Sequence, residues 1–268
     1  MRRIVAAGIA LLLLFAASPS TTARSPIPFD EETDCLEALP AAANPGLDKR
    51  AVRLDVHVLL DGASLTDGIR AVADARRAYG PLGIDLRATY GTVRIPADGR
   101  ARGYDGKPYF TASTDRAMRA AKYAVGGRPP AGAELVYLLT NKDLYLGEDA
   151  PDDGGRSYAV AGMADCIGGI LLPHRAFAVG ERLAAGGSIG PLAVAQRLPG
   201  KILAHELGHL LGAHHHYANC AEAVPHAAAE RTTDVCTLMF NDVSLVSLRY
   251  STANLAVVRG HALAATRR

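Results

Sequence analysis

Five of the nine histidines in this 268-residue chain fall within twelve positions, His205 to His216, around a single glutamate, Glu206. The run from Lys201 to Leu211 contains no helix breaker other than Gly208. It places Ile202, Leu203, Leu207, Leu210 and Leu211 at helical spacing. On such a helix His205 and His209 stand four residues apart and share one face. Two imidazoles so placed can converge on one cation, with ring nitrogens about 2.0–2.1 Å from a zinc ion. Glu206 adjoins the first of them, where a carboxylate reaches water at the ion without itself being a ligand. Zinc lowers the pKa of such water to about 7, and the carboxylate can then act as general base and proton shuttle.

Gly212 follows the last apolar residue, at the place where a helix can end at positive φ. The chain can then turn back and deliver His215, ten positions beyond His205, as a third ligand. Three neutral nitrogens leave a fourth position open for water or a substrate carbonyl, which a closed structural site would fill. A bare His-Glu-x-x-His arises often by chance. The extended form His205-Glu206-x-x-His209-x-x-Gly212-x-x-His215 fixes five positions in eleven and is far more specific. His214 and His216 flank the third ligand, and the register favours His215. The chemistry implied is hydrolysis assisted by one zinc ion.

Several elements must position these groups. Val52 to Asp61 alternates apolar and polar residues, as a half-buried strand does. Ser64-Leu-Thr-Asp67 has the form of a capping box ahead of a helix that Gly80-Pro81 stops. Gly83 to Ile95 reads as the next strand, interrupted at Gly91. Strand, helix, strand at this spacing implies a crossover and a largely parallel sheet. RGYDGKPYF reads as a turn-rich loop, Asp115 to Val125 as a helix, and Glu134 to Tyr145 begins as a buried strand. Ser157 to Cys166 reads as a further strand, after an acidic turn at Asp152 to Gly155. From Cys166 to Pro199-Gly200 the expectation is irregular, glycine-punctuated loop.

The N-terminus has the three parts of a secretory signal peptide over residues 1–23. Arg2 and Arg3 precede fourteen apolar residues, Ile4 to Ala17, and small residues follow up to Ala23. The apolar stretch is short for a permanent span, and no second run approaches spanning length. The expectation is therefore a soluble exported protein, in the external medium or a periplasm, without membrane attachment once the signal is cut. Residues 24–50, with four prolines, read as an extended lead-in, and 51–268 as one domain. A net charge of +2 is too small to point to nucleic acid or an anionic membrane as the main partner, and neither is expected. Four cysteines in an exported chain imply two disulfides. Cys220 and Cys236, close in sequence, are paired on that ground, which leaves Cys35 with Cys166.

HELGHLLGAHH resembles the zinc signature of the metzincin metalloendopeptidases at all five defining positions. AYGPLGIDLRAT, ELVYLLTNKDL and SYAVAGMADC are similar to segments of reprolysin-like (adamalysin-type) domains. Tyr250 to His261 resembles their closing helix, with Ser251 as its N-cap. The chain departs from that pattern at His216, where reprolysins carry aspartate and astacins glutamate, and at Phe240, which follows the turn methionine. The resemblance implies an α/β (α+β) fold of zincin type: a mixed twisted sheet, an active-site helix and a C-terminal helix. It implies Met239 as the residue of a methionine turn beneath the metal. It also implies peptide or protein substrates, bound extended along an edge strand for which Ala159, Val160, Ala161, Gly162, Met163 and Ala164 are the candidates. Some metzincins carry an upstream latency thiol, and Cys35 lies upstream, but a disulfide is the preferred state for it. The implied activity is that of a monomeric zinc metalloendopeptidase with Glu206 as base. The alternative is an inert zinc-binding module on the same scaffold, a reading that the presence of Glu206 disfavours.

Overall fold

Apolar residues at 52, 54, 56, 58 and 60 are buried along β1 (Val52–Asp61), while Arg53, Asp55 and His57 alternate with them. Ser64 opens α1 (Leu65–Tyr79) with the reciprocal cap its sequence implies. Its hydroxyl accepts from the Asp67 N–H at 3.1 Å, and the Asp67 carboxylate accepts from the Ser64 N–H at 2.9 Å. A 3-10 turn at Gly80–Leu82 ends the helix, and β2 (Ile84–Thr92) returns parallel to β1. Gly91 does not interrupt this strand; it pairs in register with Leu59.

The computed structural model describes residues 35, 50–102, 108–146, 160–182, 197–217, 220, 234–241 and 246–266. The signal segment, the lead-in apart from Cys35 and Arg50, the acidic turn at 152–155 and Ala159 lie outside the described residues. After β2 come β3 (Gly99–Arg102), β4 (Pro108–Ser113), α2 (Thr114–Ala124), β5 (Leu135–Thr140), β6 (Asp143–Tyr145), β7 (Gly162–Ala164) and β8 (Phe177–Glu181). Two further helices follow, α3 (Leu198–Leu210) and α4 (Thr252–Ala265). Five strands form a mixed sheet in the order β2-β1-β5-β8-β7, in which the first four are parallel and β7 runs antiparallel to β8 at the edge. A second sheet has the order β3-β4-β6. This is the mixed α/β architecture expected, with a helix carrying the histidine motif and another near the C-terminus.

Three further expectations are corrected. The segment read as a turn-rich loop runs into a strand: Pro108 to Phe110 open β4, paired antiparallel with β3. Proline is tolerated at the first residue of a strand, and the Arg100 guanidinium lies 4.7 Å over the Phe110 ring. The segment read as irregular from Cys166 onward contains β8, an interior strand between β5 and β7. All five of its residues are buried, so it shows no alternation, and its short run Phe-Ala-Val carries little signal among glycines. The motif helix also begins at Leu198 rather than Lys201, with Pro199 in the first turn, where a missing N–H costs nothing.

The sheet is covered on both faces. Leu54, Val56, Leu135 and Tyr137 pack with Ala71 and Ala75 of α1 and with Leu203 and Leu207 of α3. On the other face Val136, Leu138, Phe177 and Val179 meet Ala117, Met118 and Ala121 of α2. Each fully buried Leu, Val or Phe here contributes roughly 1.5–3 kcal/mol of transfer free energy. From Gly200 to Leu210 every residue of α3 is buried, including Lys201, which reaches the Asp234 carboxylate. A helix buried all round holds its polar side chains only where each has a partner. Two further restraints flank it. Disulfides join Cys35 to Cys166 and Cys220 to Cys236. Among the described residues no helix is long and apolar enough to cross a membrane.

Candidate metal centre

His205 and His209 stand one turn apart on α3, and their rings meet nearly edge to face with centroids 4.7 Å apart. Burial sets their chemistry. The two residues are 3% and 1% exposed. The His205 imidazole is pushed down to about 3, first by burial and then by His215, against a weaker opposing effect of the Leu238 carbonyl. His209 is driven well below the ordinary histidine value by burial and then by His205 and His215. Both rings are therefore neutral at physiological pH, the state in which imidazole has a lone pair to give.

Backbone carbonyls decide which nitrogen gives it. Nδ1 of His205 lies 2.7 Å from the Leu238 carbonyl oxygen, and Nδ1 of His209 lies 2.8 Å from that of Ala213. A carbonyl only accepts, so each Nδ1 carries the proton and each Nε2 is left with its lone pair. The Nε2 atoms of these two rings are 3.1 Å apart, and that of His215 is 3.2 Å from that of His205. No proton sits between the Nε2 atoms of His205 and His209, so their approach is not a hydrogen bond. Facing lone pairs at that distance repel, and a cation among them removes the repulsion. Two ligands of a tetrahedral zinc ion with bonds of 2.0–2.1 Å stand about 3.3–3.4 Å apart, so the donor set fits zinc in kind and in spacing. Among the described residues this is the group of histidines, cysteines and acids whose donor atoms converge, all within 4.8 Å of one another.

The third ring arrives by a helix C-cap. Gly212 has φ 85°, its N–H donates to the His209 carbonyl at 2.8 Å, and the Ala213 N–H donates to the Gly208 carbonyl at 2.9 Å. These are the two bonds of a Schellman motif, and the left-handed residue at its centre is costly for anything but glycine. The chain leaves this turn toward His215, which is half-buried and is the most solvent-exposed of the three converging rings. His214 is exposed, and the Nδ1 of His216 is buried with no hydrogen-bond partner among the described residues.

Glu206 is 5% exposed and lies against the edge strand. A Cβ placed on Gly162 of β7 would stand 2.8 Å from Glu206 Oε1 and 2.9 Å from Ile202 Cγ2, so a glycine is what lets strand and carboxylate approach. In the antiparallel pairing, Ala161, Met163 and Asp165 turn their peptide groups toward β8, which leaves those of Gly162 and Ala164 directed outward. The other side of α3 rests on the 234–241 segment. Met239 is fully buried, with its Sδ 2.8 Å from where a Cβ on Gly208 would be. Its carbonyl accepts from the His216 N–H at 2.8 Å. The Cys220–Cys236 bridge and the pairing of Cys236 with Val246 hold this segment in place.

No family model and no curated protein matches this chain. Among solved structures it is similar to archaemetzincin from Methanopyrus kandleri, at 18% identity over 81% of this chain and 97% of that one, with a TM-score of 0.48. It is similar also to metalloproteinase-II from Bacteroides fragilis, at 16% identity and TM-score 0.44, covering 76% of this chain and 51% of that one. A zinc-dependent peptidase from Methanocorpusculum labreanum strain Z gives 13% identity and TM-score 0.44, over 76% of this chain and 99% of that one. Likeness this distant says nothing about chemistry, which rests on the residues themselves.

Sequence reasoning missed the two carbonyls that orient the rings, because backbone acceptors carry no residue-type signature. It missed Tyr79 as well. The hydroxyls of Tyr79 and Tyr250 lie 2.9 Å from each other and 2.9 Å each from the Ala204 carbonyl, next to His205. Two aromatic residues 171 positions apart give no sign of meeting.

Proposed function

We propose that this chain is a zinc-dependent metalloendopeptidase of metzincin type, exported after loss of residues 1–23 and acting as a monomer through the domain at 51–268. One observation carries the reading: three imidazole Nε2 atoms converge, two of them with tautomers fixed by carbonyls, beside a buried carboxylate that is not one of the three. His205, His209 and His215 would hold the ion. When bound, zinc supplies Lewis acidity toward a scissile carbonyl and makes water a nucleophile at neutral pH. Glu206 accepts the proton as water attacks the carbonyl carbon, and returns it to the amine nitrogen as the C–N bond breaks.

The edge strand gives the substrate its direction. The outward peptide groups of Gly162 and Ala164 suit an extended peptide added as a further strand, which brings its scissile bond past Glu206. Met239 packs beneath the site helix as a support. Two disulfides support an oxidising destination, since reducing compartments rarely keep them.

Metal analysis of the purified chain, with digestion of a peptide library with and without a zinc chelator, tests this. The expected result is one zinc per chain and cleavage that the chelator abolishes and added zinc restores. A zinc-loaded chain that cuts no peptide would leave only a metal-binding module.

A further inference from the structure

The C-terminal helix reaches the metal centre from behind, through residues the proposed chemistry does not use. Ser251 caps α4, its hydroxyl accepting from the Asn254 N–H at 3.3 Å. Arg259 ties the helix to the start of the sheet by donating to the Leu82 and Arg50 carbonyls. Val258 on the same helix is fully buried. The helix is thus anchored independently of the histidine loop.

Two of its side chains touch that loop. Asn254, 7% exposed, donates through Nδ2 to the His214 carbonyl at 2.9 Å. His261, two turns further on and on the same face, lays its ring against Gly212: a Cβ there would meet His261 Cε1 at 2.4 Å and Nδ1 at 2.7 Å. The Nδ1 of His261 donates to the Val257 carbonyl at 3.0 Å, which fixes the ring's tautomer. Its Nε2 side faces Gly168, whose N–H donates to the His209 carbonyl at 2.8 Å.

Gly212 and His214 bracket Ala213, whose carbonyl receives the His209 Nδ1 proton. We propose that Asn254 and His261 are positioning residues for the metal centre. By clamping both ends of the Gly212–His214 tripeptide they set the direction of His215 and the acceptor that orients His209. This rests on the metal-site reading above and adds to it a source of metal affinity outside the ligands. Partners that orient ligands in this way are typically worth 10- to 100-fold in metal affinity.

The test uses the full chain, stripped with a chelator and titrated with zinc in competition with a chromophoric chelator. Cobalt(II) is loaded in parallel and its d–d absorption recorded. Asn254→Asp keeps the shape but sets a carboxylate oxygen against the His214 carbonyl; Asn254→Leu removes the donor; His261→Ala removes the ring. Each is expected to bind zinc 10- to 100-fold more weakly and to show a shifted cobalt spectrum at saturation, whereas Leu255→Ala, on an exposed part of the helix, matches the parent. A parent that binds no zinc defeats the metal reading and this proposal with it. A parent that binds tightly, with Asn254→Asp and His261→Ala equal to it, defeats the proposal alone. Weaker zinc with an unaltered cobalt spectrum assigns the two residues a general structural role and also defeats it. Should Asn254→Leu fail to fold, Asn254→Asp still decides.

Discussion

Acidifying the metal-free protein tests the burial on which the site depends. His205 and His209 are neutral in the fold, with folded-state values of about 3 and well below the ordinary histidine value respectively. In the unfolded chain both titrate near 6.5. Above that pH neither state takes up a proton and stability is complete. Below it the unfolded chain gains two protons that the fold does not, so stability falls with falling pH until the folded values are reached. Each group costs about 1.36 kcal/mol per pH unit below 6.5. From pH 7.5 to pH 5.5 the pair therefore removes on the order of 3 kcal/mol, or roughly 6–12 °C of Tm for a domain of this size. Urea unfolding of chelator-treated protein at the two pH values measures the loss. The reference is the double variant His205→Asn, His209→Asn, whose amides keep a donor for the Leu238 and Ala213 carbonyls but do not titrate. His57 and His261, also lowered by burial, are common to both proteins and cancel. A double variant that loses as much stability on acidification as its parent would refute the reasoning.

Glu206→Gln, isosteric but unable to take a proton, should lower kcat by about 10²- to 10⁴-fold while zinc content stays at one per chain by elemental analysis. Gly162→Val drives a side chain into the 2.8 Å approach between β7 and Glu206, so kcat should fall by about 10²-fold with metal retained, read by steady-state kinetics on a cleaved peptide. Tyr250→Phe removes one of two hydroxyls from the Ala204 carbonyl and should cost about 0.5–1.5 kcal/mol in urea unfolding. Combined with Tyr79→Phe the losses should be less than additive, because the two hydroxyls bond each other and either single substitution already breaks that bond. Replacing Cys220 and Cys236 by serine opens a bridge of sequence separation 16, worth about 3 kcal/mol of stability by calorimetry.

How much was legible follows from where the information lies. Local patterns carried far: alternation placed β1 to its end residues, the Ser64–Asp67 pair gave the start of α1, and Gly212 marked the turn by its need for positive φ. The meeting of His205 and His209 could be read because helical spacing turns sequence positions four apart into neighbours in space. Residues whose roles depend on long-range contact could not. β8 is covered on both faces and lacks a period. Asn254 and His261 look like ordinary members of a closing helix until the His214 carbonyl and Gly212 are found beside them. Pro108 and the glycines around it spoke for a loop, and the pairing of β3 with β4 overrode them.

That Leu238 and Ala213 orient the rings through main-chain oxygens has an evolutionary corollary. The acceptor needs no particular side chain at either position, but both side chains are fully buried, so packing alone selects what stands there. Descendants of this chain can exchange one well-fitting small or apolar residue for another at 213 and 238 while the ring orientation persists, inherited from the path of the backbone.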